Sequence, residues 1–94
     1  MTSPKYVLLA HVPPQGLSSY REYERAVLPL LAEHQGTLER RLRSPDELLE
    51  VHVLGFSSRE AFTAYVEDPR RAALQPLLIS SGARTELHEL ADVP

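Results

Sequence analysis

At 94 residues, with a net charge of −3 and no cysteine, the chain has room for one domain (1–94). It lacks the basic face that nucleic-acid affinity needs, a disulfide framework, a thiolate nucleophile and any cysteine-ligated zinc. Its 43% hydrophobic and 24% charged residues are those of an ordinary globular protein, and a chain this short buries only about 60 to 65% of its unfolded surface, which a partner chain would improve. Met1 to Ala10 has neither the basic start nor the long apolar run of a signal peptide, and no stretch is apolar for long enough to span a bilayer, so a cytoplasmic location without membrane contact is expected.

Tyr6 to Val12 opens the chain as an apolar strand, interrupted by His11 and stopped by Pro13 and Pro14. Gln15 and Gly16 complete a turn. Ser19 and Glu22 then have capping-box spacing, and Tyr20, Tyr23, Val27, Leu30, Leu31 and His34 recur at helical intervals until Gly36. Pro29 removes one backbone hydrogen bond from that helix and predicts a kink. Thr37 to Arg43 reads as the second strand, and Ser44-Pro45-Asp46-Glu47 as a turn with proline where a type I turn accepts it. The third strand, Leu48 to Leu54, alternates Leu49, Val51 and Val53 with Glu50, His52 and Leu54. It runs straight into a helix marked by a Ser57/Glu60 capping box, with Phe56 placed to staple onto Ala61. Asp68-Pro69 restarts the helical pattern as cap and first position of a short extension carrying Ala73, Leu74, Leu77 and Leu78 and interrupted by Pro76. Ser80-Ser81-Gly82 closes it before a last strand, Ala83 to Leu90.

If the four turn residues are the whole hairpin loop, Arg43 pairs with Leu48, Leu42 with Leu49, Arg41 with Glu50, Arg40 with Val51, Glu39 with His52 and Leu38 with Val53. Leu49, Val51 and Val53 then face the core, and the Arg41–Glu50 and Glu39–His52 pairs face away from it. The order strand, helix, strand, strand, helix, strand predicts an α+β ferredoxin-like βαββαβ sandwich, a four-stranded antiparallel sheet with two helices on one face and the first and third strands central. The uncovered face would carry Val7, Leu9, His11, Glu39, Arg41, Glu50, His52, Leu54, Glu86 and His88. Such a face is too apolar in the middle for water and too charged for a dry core, which points to a homodimer formed through it.

The runs Tyr20 to Arg41, Glu50 to Phe62 and Tyr65 to Arg70 resemble the small dimeric α/β-barrel proteins, among them the uncharacterised DUF1330 group and the antibiotic-biosynthesis-monooxygenase-like domains. The resemblance covers nearly the whole chain, on motifs that are mostly structural. It implies two sheets packed face to face across a dimer to enclose a barrel. The activities it implies range over cofactor-independent oxygenation of polycyclic phenols, haem degradation, lactone isomerisation and simple binding. The oxygenases and haem degraders of this kind lean on an asparagine, a tryptophan and a histidine. This sequence has neither Asn nor Trp, so that site does not carry over.

What remains is a polar set on the uncovered face. His11 and His52 are the candidate catalytic residues, as proton acceptors near neutral pH. Glu39, Arg41, Glu50, Glu86 and His88 are the candidate substrate-binding residues. The first and third strands, taken as parallel neighbours, would bring both imidazoles to one cavity. Each residue also has a plain structural reading, as a cross-strand ion pair or an interface hydrogen bond. His34, near a helix end, compensates the helix dipole, and Tyr23 or Tyr65 is mostly core with a hydroxyl that reaches outward. His11, His52 and Glu86 or His88 come from three strands without a local ligand motif, so no metal and no cofactor are expected. The functional expectation is a small hydrophobic or aromatic metabolite handled in the barrel by proton transfer or cofactor-independent oxygenation; the alternative is a non-catalytic dimeric module that binds a ligand or a protein. Stacking aromatics, which RNA binding on this topology needs, are missing from the central strands.

Overall fold

The computed structural model describes residues 3–94. The elements are β1 (Lys5–His11), a 3₁₀ turn (Pro14–Gly16), α1 (Leu17–Val27), α2 (Leu30–Glu33), β2 (Gly36–Arg43), β3 (Leu49–Phe56), α3 (Arg59–Val66), α4 (Pro69–Ser81) and β4 (Arg84–Leu90). The strands lie in the order β2-β3-β1-β4, and every neighbouring pair is antiparallel. This is the ferredoxin-like arrangement, with β1 and β3 in the centre and the helices on one face. The two central strands are therefore antiparallel, not parallel neighbours: the crossover through α1 and α2 leaves a gap beside β1, and the chain reversal after β2 fills that gap with β3 running the opposite way.

The helix ends depart from the capping-box spacing for local reasons. The 3₁₀ turn begun by Pro14 feeds directly into α1, which starts at Leu17 with no side-chain cap, so Ser19 and Glu22 sit within the helix. Ser58, not Ser57, caps α3, its Oγ accepting from Ala61 N at 3.1 Å; Ser57 instead donates to the Gln35 side chain. Pro29 does more than kink the first helix. It divides the segment into α1 and α2 and stands as the N-cap of the second. Asp68 caps α4 as the sequence predicts, with Oδ1 accepting from Arg70 N at 2.8 Å and Pro69 in the first turn. The extension is the longest helix of the chain, contains Pro76 within it, and stops at Gly82, whose φ of 70° suits glycine.

The hairpin departs further. Ser44 and Glu47 do close a turn, Glu47 N donating to Ser44 O at 2.9 Å. Leu49 N, however, donates to Ser44 Oγ, and Leu48 N to Asp46 Oδ1. Ser44 N still donates to Leu49 O at 2.9 Å, so a side chain takes over only the return bond of that rung, and full pairing begins at Arg43↔Glu50. Arg41 then faces His52, Leu42 faces Val51 and Arg40 faces Val53, two residues from the predicted register, and a bulge at Glu39 resets the pairing to Leu38↔Leu54.

Which way β3 faces is also reversed. Phe56 is 2% exposed and Leu54 5%, both in the core with Tyr6, Ala10, Val12, Tyr20, Tyr23, Val27, Leu30, Leu31 and Tyr65. Side chains alternate along a strand, so His52 and Glu50 point the same way and are buried as well, at 3% and 4%. Leu49, Val51 and Val53 are half-buried on the face without helices. Tyr6 stacks on Phe62 at 3.8 Å between ring centroids and meets Phe56 edge-on at 5.9 Å, which locks the strand–helix layer at that end.

Two measurements follow from this packing. A Cβ on Gly16 would stand 1.7 Å from the backbone oxygen of Ser81, so Gly16→Ala forces α1 and α4 apart and should cost about 1–3 kcal/mol in a denaturant titration; an unchanged midpoint would remove this contact from the account. Asp68 accepts hydrogen bonds from Arg70 and from His34, the latter at 2.8 Å, and the two hold its carboxyl well below the usual range. Its folded pKa is depressed, so its stabilisation is complete above the ordinary value of 3.8 and is lost as the pH falls through the folded one. Asp68→Asn should flatten the acid limb of the stability curve, and parallel acid limbs for the two proteins would contradict the assignment.

Candidate functional site

Glu24 lies on α1 one turn after Tyr20 and one turn before Val27, both core residues, so helical spacing turns its carboxylate inward. Glu50 and His52 are turned toward the same space from β3 by the alternation that buries Phe56. The three residues are 2%, 4% and 3% exposed. His52 Nε2 is 2.7 Å from Glu50 Oε1 and 3.0 Å from Glu24 Oε2. Arg41 reaches in from β2, with Nε 2.7 Å from Glu50 Oε1 and a terminal nitrogen 3.0 Å from Glu24 Oε1. Arg43 donates to Glu50 Oε2 at 3.1 Å. The arginine side chains, 41% and 35% exposed, form the solvent side of the cluster.

The environment drives the two carboxyls apart. Burial works against ionised Glu50, but the groups around it, Glu24, His52 and Arg41, overcome it and hold Glu50 well below the carboxylate range. Burial also raises Glu24, and the neighbouring Glu50 charge adds to it against the pull of His52 and Arg41, so Glu24 is held up. Burial pulls His52 down, while the two carboxylates more than offset it and hold the imidazole above its ordinary value. Tyr20 is pushed up by burial and by both carboxylates. Two neighbouring carboxyls whose proton affinities are driven in opposite directions are the arrangement that separates an acid from a base in one site. Glu24, Glu50 and His52 also offer three ligand atoms within 4.8 Å of one another.

The residues proposed from the sequence divide between the two sides of the sheet. His11, Glu86 and His88 lie on the open face, in register with Leu49, Leu9 and Val7, and Glu39 contacts Lys5 there. His52, Glu50 and Arg41 lie behind the sheet, against α1. The predicted Arg41–Glu50 contact exists, although the pair is not directly cross-strand; the predicted Glu39–His52 contact does not, because the bulge turns Glu39 toward Lys5 and Gly55. His11 and His52 therefore do not converge on one cavity. His34 bonds the Asp68 carboxylate, and the Tyr23 hydroxyl accepts from Arg71 at 3.3 Å. Glu24 and Arg43 were absent from the sequence-derived set. The signal for Glu24 was a glutamate at a core-facing position of an otherwise apolar helical stripe. An open cleft bordered by Lys5, Ser58, Arg59, Glu89 and Leu90 includes none of the buried cluster.

Removing one member of a buried ionic cluster leaves the others without compensation. Glu50→Leu should therefore cost about 3–5 kcal/mol by denaturant unfolding, because Arg41, Arg43 and His52 all lose an acceptor; a cost below about 1 kcal/mol, the scale of a surface pair, would show that the cluster is solvated.

No family model matches the chain, and no curated protein sequence matches it. Solved structures do. SnoaB, a cofactor-independent oxygenase from Streptomyces nogalater, superposes with a TM-score of 0.81 at 14% identity, covering 100% of this chain and 96% of that one. A candidate antibiotic biosynthesis monooxygenase from Caulobacter crescentus gives 0.77 at 11% identity, with 98% and 92% covered. A nipsnap family protein of unknown function from Agrobacterium tumefaciens gives 0.68 at 17% identity, with 95% and 88% covered. At these identities the likeness is one of fold, and the chain has the ferredoxin-like fold of the antibiotic-biosynthesis-monooxygenase-like proteins.

Proposed function

We propose that the chain acts as a homodimer paired through its open sheet face, and that the space between the paired sheets takes a small hydrophobic or aromatic metabolite, with His11 as the proton acceptor. The observation that carries this is the centre of that face. Val7 stands opposite Val53 and Leu9 opposite Val51, all four half-buried in a lone chain with no helix over them. Leu42, next to Val51, is 44% exposed, and Leu90, next to Lys5, is 50% exposed. An apolar stripe of this kind on a short chain is a surface for a partner, and a two-fold pairing of like faces covers it with its own copy.

Around the stripe stand His11, Glu86 with His88 at 3.5 Å, and Glu39 with Lys5. These groups flank an apolar floor, which is the make-up of a site that orients an aromatic or hydrophobic ligand by a few polar contacts. Imidazole is the ordinary side chain for accepting a proton near neutral pH. The shared fold with a cofactor-independent oxygenase supports chemistry of that type. Arg41, Glu50 and His52, placed behind the sheet, have no part in this chamber.

Light scattering should give a dimer, and Val51→Arg, which sets a charge in the stripe, a folded monomer. A fluorescent polycyclic phenol should bind the wild type and not the Val51→Arg chain. His11→Gln should remain a dimer and lose turnover of the phenol under air. A wild-type monomer would overturn the pairing, and turnover unchanged in His11→Gln would overturn the role of His11. Binding without turnover in the wild type would instead mark a non-catalytic ligand-binding module.

A further inference from the structure

We infer that Glu24, Glu50 and His52 form a binding site for one divalent transition-metal ion, with Glu24 Oε2, Glu50 Oε1 and His52 Nε2 as ligands, on the helix side of the sheet. This goes beyond the reading of the open face and does not depend on it. The first observation is convergence: three ligand atoms from α1 and β3 lie within 4.8 Å of one another in a space closed by the core. The second is an acceptor without a donor. Glu24 is 2% exposed, and its Oε2 has no hydrogen-bond partner. It stands 3.0 Å from His52 Nε2, but that nitrogen offers one proton and is aligned on Glu50 Oε1 at 2.7 Å. A buried acceptor left in this state is destabilising, and a cation placed between the three atoms satisfies it.

The donor set selects the ion. One imidazole nitrogen and two carboxylate oxygens suit zinc, manganese or ferrous iron, whereas magnesium and calcium favour oxygen ligands alone. Ligand atoms about 2.0–2.2 Å from a tetrahedral ion stand roughly 3.3–3.6 Å apart. The 2.7 and 3.0 Å separations therefore need to open by less than about 1 Å, within the freedom of glutamate side chains. Three protein ligands leave a further coordination position free.

Arg41 and Arg43 hold the carboxylates from outside, Arg41 on Glu24 Oε1 and Glu50 Oε1 and Arg43 on Glu50 Oε2. Outer contacts of this kind fix the orientation of ligating groups. They also bring two positive charges near the ion, which opposes its binding. That opposition is met by the two carboxylates, Glu24 and Glu50, whose oxygens face the ion. The two half-exposed arginine side chains provide the route of entry.

Chelator-treated wild-type protein should be titrated with zinc by calorimetry and with cobalt(II) by visible absorption. One ion per chain and the intense absorption of low-coordinate cobalt are expected. Glu24→Gln and His52→Gln, each checked for folding by circular dichroism, should weaken zinc by more than the about 10- to 100-fold that losing an outer-shell partner costs. His34→Gln, which removes an imidazole bonded to Asp68 outside the cluster, should bind zinc as the wild type does. Manganese should broaden the His52 ring resonances and spare those of His34 in the unsubstituted protein, a reading that survives even if both variants misfold. The site is overturned if zinc, cobalt and manganese all fail to bind, if zinc binding survives Glu24→Gln, if it disappears with His34→Gln, or if manganese leaves the His52 ring unbroadened.

Discussion

The direction in which β3 faces governs the rest of the molecule. Its last residue, Phe56, is nearly inaccessible to solvent and packs among Tyr6, Phe62 and Tyr65. Strand side chains alternate strictly, so this one aromatic commits Leu54, His52 and Glu50 to the helix side and Val53, Val51 and Leu49 to the other. A slip of one residue would expose Phe56 and bury two valines in its place, losing the aromatic cluster that joins sheet to helices. The chain therefore accepts two polar residues on its interior face in return for one large aromatic anchor and Leu54.

That acceptance is possible because partners come from elsewhere. His52 and Glu50 would be costly alone in the interior. Glu24 arrives from α1, Arg41 and Arg43 from β2, and Tyr20 closes the side against the core. Mutual attraction in such a cluster roughly repays desolvation without a large surplus, and an apolar replacement of the same volume is often equally stable. Stability alone does not explain why a small domain carries two carboxylates and an imidazole in its interior. The ion site inferred for this cluster would supply a reason.

The opposite face of the sheet presents the complementary problem. Once β3 sends its apolar alternates outward, they join Val7 and Leu9 into a stripe across the central strands. The polar residues there, His11, Glu39, Glu86 and His88, flank this stripe. One side of the sheet is thus a polar island in an apolar core, and the other an apolar island within a polar frame. Both follow from the same alternation.

Much of this was written in the sequence. The order of elements, the antiparallel sheet with its central first and third strands, a disturbance of the first helix at Pro29 (though not its division in two), the Asp68-Pro69 start of α4 and its stop at Gly82 rest on local signals: period, proline, glycine and capping residues that act within a few positions. Val7, Leu9, His11, Glu86 and His88 were legible on the open face because β1 and β4 alternate without interruption. The third strand misled because Leu49, Val51 and Val53 are more apolar than Glu50, His52 and Leu54, and within the strand itself the apolar set belongs inside. Phe56, two residues past the predicted end, decides otherwise, and only contact with Tyr6, Phe62 and Tyr65 reveals its weight. The hairpin register was lost to Ser44 and Asp46, whose side chains take over backbone hydrogen bonds. The buried cluster needed the tertiary structure most of all, since Glu24, Arg41 and His52 are brought together by the packing of α1 on the β2–β3 edge, and no spacing along the chain encodes that distance.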